Sequence, residues 1–467
     1  MQSFIVSSRS REIRASASST QRTIKIPLDA RLGRRPPQHS SRPGGVNSPP
    51  VAAVRPSRYD PHRNLVTGAG HMSGPLDGIR VVEVANWLAA PLGAAVLADM
   101  GAAVVKVEAP QGDAVRGFQA PGASAEHLFN LYNRGKRGIT ANLDHPDGRA
   151  VVRRLVERAD VFITNLTPTR VERYELTYDA LAARNPRLIY ANLTGYGVHG
   201  PERDRLGFDY AAFWARSGIM GIIGPEHGPP PLQRPGMGDH TTGVVIACGV
   251  LAALLDRQRT GRGQQVNFSL LNSGLWVLAT DIQMALVTSS SMPRHNREAP
   301  PNPIWNTYRC ADGRWILLVM IQADRYWPKF CAAIERPDLE HDPRFNSMTA
   351  RQAHNAELVR ILDAVFATAT LKEWGERLDR HGAIWAPVQT LAEATNDPQA
   401  RANGYFTAIE HPSLGRMETL QAPFRFGVSE VTVRGPAPEL GQHTEEVLLE
   451  LGYSWEEIVA LRDRGAI

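Results

Sequence analysis

Residues 79–108, IRVVEVANWLAAPLGAAVLADMGAAVVKVE, contain a strand pattern, a helix pattern and a second strand pattern in immediate succession. Residues 79–85 and Ala103–Glu108 are short apolar runs rich in valine, which predicts two buried strands. Residues 92–100 between them predict a helix that ends at Gly101. A strand, a crossover helix and a further strand favour parallel pairing, and therefore an α/β fold.

The same alternation continues along the chain and favours one large Rossmann-like parallel sheet. The further predicted elements are a helix over residues 149–158, strands over 161–164 and 188–193, and a long helix over about 241–257 followed by TGRG. Around residues 297–303 (REAPPNP) the chain becomes rich in proline. Residues 308–320 then predict a hairpin around Asp312 and Gly313, and helical patterns fill about residues 325–382. We find no internal repeat.

These changes of pattern predict how the chain is divided into domains. The predicted division is a disordered N-terminal extension over residues 1–73, a large α/β domain over 74–296, a small α+β domain over 297–400, and a C-terminal return to the large domain over 401–467.

The positive charge of the chain is concentrated near its start. Residues 1–70 hold twelve basic and three acidic side chains, a balance of +9, whereas the whole chain carries +5 and the remainder therefore −4. The body of the protein is thus not predicted to bind nucleic acid. The Ser-, Arg- and Pro-rich composition predicts disorder, and two alternatives stay open: an organelle transit peptide, or a natural start at Met72.

The three cysteines, Cys248, Cys310 and Cys331, lie far apart and form no Cys-x-x-Cys pair. This usage fits a reducing compartment, so we predict a cytoplasmic protein without disulfides, with Cys248 as a small core residue of the long helix. No apolar run approaches the ~20 residues of a membrane span. No histidine pairs with cysteine at metal-ligand spacing. We therefore predict neither a membrane partner nor a metal site.

Several catalytic motifs are absent. The loop after the first strand lacks Gly-x-Gly-x-x-Gly, and the chain contains no GxxxxGK[ST], HExxH or GxSxG. The sequence therefore does not favour a dinucleotide cofactor, nucleotide hydrolysis, zinc hydrolysis or serine esterase chemistry.

Asp239 lies in residues 236–243, GMGDHTTG, just before the predicted long helix. One interpretation is an N-cap, the commonest role of an aspartate in this place. The other is a nucleophile, because Gly236 and Gly238 would leave the carboxylate accessible to a bulky thioester. Backbone N–H groups at the helix start would then stabilise the oxyanions of the reaction.

Six segments carry a family resemblance, in order, from about residue 75 to residue 467. They are PLDGIRVVEVANWLAAPLGAAVLADMGAAVVKVEAPQGDAVR, NRGKRGITANLDHPDGR, ADVFITNLTPTRVERYEL, NPRLIYANLTGYGVHGPERDRLGFD, GDHTTGVVIACGVLAALLDRQRTGRGQQV and LGQHTEEVLLELGYSWEEI. Together they resemble the class III coenzyme A-transferases, the CaiB/BaiF or formyl-CoA transferase-like superfamily, which also contains the α-methylacyl-CoA racemases.

The resemblance implies an acyl-CoA and a free carboxylic acid as substrates, and no cofactor beyond CoA itself. It also implies an obligate homodimer of ring-like, interlocked chains. It makes Asp239 the covalent nucleophile, which passes through an anhydride and an aspartyl-CoA thioester. By the same resemblance, CoA-contacting positions fall at Ala89, Ala90, Pro91, Asn165, Leu166 and Arg173.

Two further groups of residues complete the predicted site. Lys136 and Arg137, in NRGKR, are either CoA-phosphate contacts or part of a solvated basic turn. Phe208, Tyr210 and Gly238 are predicted to line the substrate pocket, and the aromatic residues of this region suggest a larger, partly apolar acyl group. Leu88 stands where the formyl-CoA branch has glutamine, so oxalate and formate chemistry is not expected.

Asp209, in RLGFDY, is the second candidate catalytic acid. In the racemase branch a similar Gly-His-Asp segment supplies an aspartate that moves the α-proton together with an upstream histidine. Here Phe208 precedes Asp209, and no histidine lies where that partner is expected. We expect Asp209 to assist transfer or to be a solvated or capping acid. The alternatives for the whole protein are an acyl-CoA racemase or isomerase, and a CoA-binding protein without catalysis.

Overall fold

The structure, a computed structural model, describes residues 74–118 and 124–467, so the predicted extension over residues 1–73 lies outside the described residues. A six-stranded sheet forms the centre of the described chain, in the order β3-β2-β1-β4-β5-β6, and neighbouring strands are parallel. The strands are β1 (Arg80–Val84), β2 (Ala103–Glu108), β3 (Arg137–Thr140), β4 (Val161–Thr164), β5 (Ile189–Thr194) and β6 (Gln264–Ser269).

Helices cover both faces of this sheet, which explains why its strands are continuous apolar runs. The helices of this region are α1 (Ala89–Asp99), α2 (Ala125–Asn133), α3 (Pro146–Glu157), α4 (Pro168–Arg173), α5 (Tyr178–Ala182), α6 (Ile219–Ile222), α7 (Met237–Thr260), α8 (Leu270–Val277) and α9 (Ala279–Thr288). Helices α1 and α7 share one core with the sheet, and α3 lies in the core of the opposite face. The predicted α/β class is confirmed.

A smaller region has its own apolar core, made of residues between Ile304 and Leu378. It contains a three-stranded antiparallel sheet in the order β7-β8-β9. The predicted hairpin is confirmed, since Gly313 adopts a left-handed conformation in the turn between the first two strands. The elements are β7 (Thr307–Arg309), β8 (Trp315–Leu318), β9 (Trp385–Pro387), α10 (Ala323–Ala333), α11 (Asp338–His341), α12 (Met348–Ala353), α13 (Asn355–Phe366) and α14 (Leu371–Arg380).

The C-terminal segment crosses back to the large sheet. Val447, Leu448 and Ile458 join the core on the α3 face, so the last two helices complete that layer. The elements are α15 (Leu391–Thr395), α16 (Pro398–Ala402), the antiparallel pair β10 (Phe406–His411) and β11 (Gly415–Leu420), α17 (Thr444–Glu450) and α18 (Trp455–Asp463).

The sequence patterns misjudged three local features. Strand β3 begins at Arg137, where a basic turn was one interpretation, because a four-residue strand leaves little pattern to recognise. Helix α7 begins at Met237, before the predicted start, and its length and mean hydropathy of 1.5 would suit a membrane span. Its Ile246 and Val250 nevertheless lie in the sheet core. Cys248 is exposed on this helix, so the prediction that it is a core residue was wrong.

Candidate active site

The strand order of the sheet reverses between β1 and β4. In open α/β sheets, ligands bind beyond the carboxyl ends of the strands at this switch point. A cleft with a cavity volume of about 190 Å³ occupies this place. It is lined by the loops that follow β1, β4 and β5, by the segment from Arg203 to Phe208, by the start of α8 and by Asp239.

Two asparagines join the loops on either side of the switch point. The Asn86 backbone N–H donates to Asn165 Oδ1 at 3.0 Å, and Asn165 Nδ2 donates to the Asn86 carbonyl at 2.6 Å. The Thr164 hydroxyl donates to the Val84 carbonyl and accepts from the Leu166 N–H. These hydrogen bonds hold the loop after β1 against the loop after β4, and both loops line the cleft.

Asp239 occupies the first turn of α7 and lines the cleft. The N-cap residue is Gly236, which has a φ of 82° and provides no side-chain cap. Within the described residues, the Asp239 carboxylate has no hydrogen-bond partner. The capping interpretation of this acid is therefore wrong. A carboxylate in the first turn is still favoured by the positive end of the helix dipole.

The carboxyl group of Asp239 has a pKa well above the ordinary value for aspartate. Burial raises its pKa, the nearby charge of Asp209 raises it further, and together they bring it to about 7. Reactive acids frequently lie in a cleft and have a carboxyl pKa raised this far, with no cation nearby to offset the charge.

Asp209 begins a π-helical segment, Asp209–Ala215, and is almost completely buried. Its Oδ2 accepts hydrogen bonds from Gln233 Nε2 at 2.8 Å and from the Gly236 N–H at 3.0 Å. Burial raises its pKa, while bonds from backbone N–H groups oppose the rise. Asp209 does not line the cleft but holds the turn that precedes Asp239, which the sequence could not show because the contact joins distant residues.

His240 follows Asp239 and points toward a different neighbour. Its Nε2 shares a hydrogen bond of 3.0 Å with the Tyr132 hydroxyl, and the two rings are stacked with centroids 5.6 Å apart. Burial, and then the charge of Arg134, lower the pKa of His240, so this imidazole stays neutral at pH 7. His240 therefore supplies no positive charge to offset the two acids.

The predicted CoA-contacting residues separate into two groups. Ala89, Asn165 and Leu166 line the cleft. Ala90 and Pro91 do not; both are buried at the start of α1, and the Pro91 carbonyl accepts a hydrogen bond from Lys136.

The prediction that Lys136 contacts phosphate is corrected by its burial. Its ammonium pairs with Glu83 at 2.6 Å and donates to the carbonyls of Pro91 and Tyr132 and to Asn133 Oδ1. Burial outweighs the pull of Glu83 and lowers the pKa of Lys136 to about 8. The side chain is therefore a structural cation beneath the sheet edge, with its donors already used.

The two predicted arginines also lie outside the cleft lining. Arg137 pairs with Glu446 and Glu450 of α17, and Arg173 pairs with Asp144 on the surface. The cations that do line the cleft are Arg170, Arg203 and Arg205. The sequence signal for them existed, since Arg170 stands in the same TNLTPTR segment as Asn165.

These three arginines differ in their pairing. Arg203 pairs with Glu172 and Asp204, and Arg205 with Glu202. In the described part of the chain, Arg170 has no carboxylate within salt-bridge distance, and its guanidinium lies 5.7 Å from the Tyr174 ring centroid. Arg170 is therefore the cleft cation whose charge is available to an anionic ligand.

The predicted substrate-pocket residues are likewise divided. Phe208 lines the cleft and is half exposed, whereas Tyr210 is exposed outside the lining. Gly238 is buried, and a Cβ there would lie 2.5 Å from Phe213 Cγ. Glycine at this position therefore lets α7 approach Phe213, and it does not open space for substrate as the sequence suggested.

Within residues 74–118 and 124–467, no group of three or more His, Cys, Asp or Glu side chains is arranged to hold a metal ion. The cleft presents the carboxylate of Asp239 and, among the described residues, the guanidinium of Arg170 without a carboxylate partner.

The model of the CoA-transferase family III matches residues 76–444, and the chain belongs to this family and is a CoA-transferase. It is 35% identical over 396 residues, 83% of this chain and 98% of the relative, to (R)-2-hydroxy-4-methylpentanoate CoA-transferase of Clostridioides difficile. It is 32% identical to cinnamoyl-CoA:phenyllactate CoA-transferase of Clostridium sporogenes, over 82% of this chain and 95% of that enzyme.

Solved structures agree with this assignment. A CaiB/BaiF family protein from Brucella suis superimposes with a TM-score of 0.72 at 32% sequence identity, covering 81% of this chain and all of that one. The family resemblance recognised in the six sequence segments is thereby confirmed.

Proposed function

We propose that this enzyme moves CoA from an acyl-CoA thioester to a free carboxylic acid through covalent intermediates on Asp239. One observation carries the proposal. The Asp239 carboxylate lines the switch-point cleft without a hydrogen-bond partner among the described residues, and its pKa of about 7 leaves a large ionised fraction at neutral pH. A desolvated carboxylate of this kind is a better nucleophile than a solvated one.

The reaction divides into four balanced steps. The Asp239 carboxylate attacks the thioester carbonyl, the C–S bond breaks, and CoA thiolate leaves an acyl-aspartyl anhydride. The thiolate attacks the aspartyl carbonyl, giving aspartyl-CoA and the free donor acid. The acceptor carboxylate attacks aspartyl-CoA and again expels thiolate. This thiolate attacks the acceptor carbonyl, giving the new acyl-CoA and restoring Asp239, with no water consumed.

We propose that the CoA phosphates bind to the arginine that lines the cleft without a carboxylate partner among the described residues. We assign this contact to Arg170, because a planar guanidinium binds phosphate through paired hydrogen bonds. Asn165 and Leu166, which follow β4, would border the same part of the ligand. Arg170 thus replaces Lys136, Arg137 and Arg173 as the cation to test.

A homodimer also belongs to this proposal. Helix α9 has no buried residue in the single chain, and its apolar side chains Leu286 and Val287 are 74% and 71% exposed. Trp276 on the preceding helix α8 is 74% exposed as well. Apolar side chains grouped in this way are typical of an interface. Light scattering should give twice the chain mass, and Trp276→Glu should weaken the association, whereas a wild-type mass of one chain would contradict the dimer.

The relatives name 2-hydroxyacids and aryl-substituted acids among their substrates, so we expect donor and acceptor acids of that general class. We also place the enzyme in a reducing compartment such as the cytoplasm, because its cysteines lie far apart in sequence.

The alternative racemase activity needs a two-base pair. Asp209 is turned into a buried hydrogen-bond network and His240 is bonded to Tyr132, which disfavours that chemistry.

The experiment is intact-protein mass spectrometry after mixing with a panel of acyl-CoAs. We expect an acyl or CoA adduct on the wild type that maps to Asp239 and is absent from Asp239→Asn. Asp256→Asn, an acid near the other end of α7, is the matched control and should keep the adduct.

Transfer itself is followed with an acceptor acid labelled by ¹⁸O in its carboxylate. Label should appear in the aspartyl carboxylate during turnover. Exchange of the α-proton with solvent deuterium, without an adduct and surviving Asp239→Asn, would contradict the proposal and indicate the racemase alternative.

A further inference from the structure

Trp87, in the loop after β1, has a backbone conformation that is uncommon for its type. Its φ is 67°, in the left-handed region that bulky residues rarely occupy. Such conformations persist where surrounding contacts over-determine them, and they concentrate at ligand sites. The strained residue here is also a residue that lines the cleft with Asp239.

The contact that holds this conformation comes from a buried acid. Asp113 Oδ1 accepts a hydrogen bond from the Trp87 N–H at 3.1 Å and another from the Val115 N–H. Asp113 Oδ2 lies 2.9 Å from the fully buried ammonium of Lys106, which also pairs with Glu83. The left-handed turn is therefore tied to the buried ion-pair network of Asp113, Lys106 and Glu83.

The indole belongs to a group of rings that we call the aromatic wall, defined as Trp87, Phe118 and Phe208. Trp87 meets Phe208 edge to face, with centroids 5.2 Å apart and planes at 87°, and meets Phe118 at 6.5 Å and 76°. Phe208 is 53% exposed, although aromatic rings in such contacts are usually covered. The wall therefore retains open ring surface beside a cleft that contains the reactive acid.

We propose that Trp87, with Phe208, determines specificity by binding the side chain of the acyl group, and that it selects bulky apolar groups, aromatic ones above all. The inference rests on the proposed function, since it takes the ligand of the cleft to be an acyl-CoA. An aromatic ring on the acyl group could pack against the exposed ring surface of the wall, either offset-stacked or edge to face. Leu88, Leu206 and Leu270 add apolar lining, so a small or charged acyl group would leave this surface exposed to water.

The test measures binding without turnover, on the Asp239→Asn background, by calorimetry with 3-phenylpropanoyl-CoA and acetyl-CoA. The CoA portion is the same in both, so the ratio of their dissociation constants reports the acyl site alone. We expect the phenyl ligand to bind at least about tenfold more tightly, as hydrophobic pockets discriminate by such factors. Trp87→Gly removes the indole and accepts the left-handed turn, and it should bring the ratio close to one.

Two further variants complete the design. Phe208→Ala, at a half-exposed position, should also lower the ratio and guards against misfolding of the Trp87 variant. Trp455→Ala, at an exposed tryptophan of α18, is the matched control and should leave the ratio unchanged.

A ratio near one in the parent, or a high ratio that survives both wall variants, would overturn the inference. Loss of both ligands from the parent would overturn it as well. A ratio that depends on Trp87 in an enzyme whose wild type forms no adduct would support the inference while rejecting the covalent mechanism. The two proposals therefore fail in distinguishable ways.

Discussion

Asp209 accepts a hydrogen bond at 3.0 Å from the backbone N–H of Gly236, the residue that caps the helix carrying Asp239. The same carboxylate is close enough to raise the pKa of Asp239. One buried acid thus does two things: it fixes the turn before the reactive acid, and it disfavours ionisation of that acid. The consequences can be measured separately.

The rate of adduct formation should rise with pH, with its midpoint near the Asp239 pKa of about 7, because the nucleophile is the ionised form of Asp239. Asp209→Asn removes a like charge, so it should lower the Asp239 pKa and move the profile to more acidic pH. Asparagine can still accept from the Gly236 N–H, which preserves the turn. Initial rates between pH 5 and 8.5 check this.

The control for the pH profile is Asp256→Asn, which removes an acid more than a Debye length away along α7. Its midpoint should equal that of the wild type. A midpoint in Asp209→Asn that stays put or moves to higher pH would contradict the charge coupling of the two acids.

Asp239→Asn should stabilise the protein at neutral and alkaline pH. The pKa of Asp239 is about 7 in the folded state against 3.8 as its ordinary value, so ionisation costs stability as pH rises through this window. The gain should be complete above pH 7, reach at most about 4 kcal/mol, and vanish near pH 4. Urea unfolding at pH 4, 6 and 8, at one protomer concentration, measures it.

Equal stabilities of Asp239→Asn and wild type at pH 8 would show that the carboxyl group is not desolvated. The predicted gain is one instance of the exchange of stability for function that is common at active sites.

Gly238→Ala should destabilise the protein by about 1–3 kcal/mol, because overpacking a filled site forces neighbours to move. The new Cβ would lie 2.5 Å from Phe213 Cγ and 2.8 Å from Phe213 Cβ, and neither atom lies at the flexible end of a side chain. The first turn of α7 would shift, so the adduct rate should fall as well. Thermal unfolding and adduct formation are both measured.

Gly221→Ala is the matched control for Gly238→Ala. It lies in the short helix α6 and its Cβ would meet nothing within 4 Å. Its stability should stay within ~1 kcal/mol of the wild type. If Gly238→Ala behaved in the same way, the close approach of α7 to Phe213 would be refuted.

Arg170→Ala should raise the KM for acyl-CoA by about tenfold or more, since it removes a charge-assisted hydrogen bond to phosphate. Arg173→Ala, three residues further on and paired with Asp144, should leave KM unchanged. Steady-state kinetics with acyl-CoA and its dephosphorylated form tell which phosphate is bound. A larger effect from Arg173→Ala would restore the sequence-based choice.

Much of the fold could be predicted because its signals are local. Val81, Val82 and Val84 of β1 are buried on both faces of the sheet, and such strands leave apolar runs that can be recognised in the sequence alone. The loop residues after β1 and β4 were predicted from the family resemblance, which is carried by short motifs that are equally local. The start of α7 was placed too late, because glycine at its first positions gives little helix signal.

The cations of the site could not be predicted, because their roles depend on partners far away in the chain. Lys136 pairs with Glu83, 53 residues earlier, and Arg137 pairs with Glu446 of the C-terminal segment. A basic residue in a loop pattern does not reveal such partners. Arg170 and Arg173 share one short helix, and their different surroundings follow from Asp144, which lies on another loop.

The sequence by itself determined the parallel sheet, the family and the aspartate at the start of the long helix, because these depend on periodicity and on short motifs. Tertiary structure alone decided that Asp239 is not a cap, that Asp209 supports its turn, and that Arg170 is the available cation. The physical reason is that burial and pairing set the charge state of a group, and both arise only when distant segments pack together.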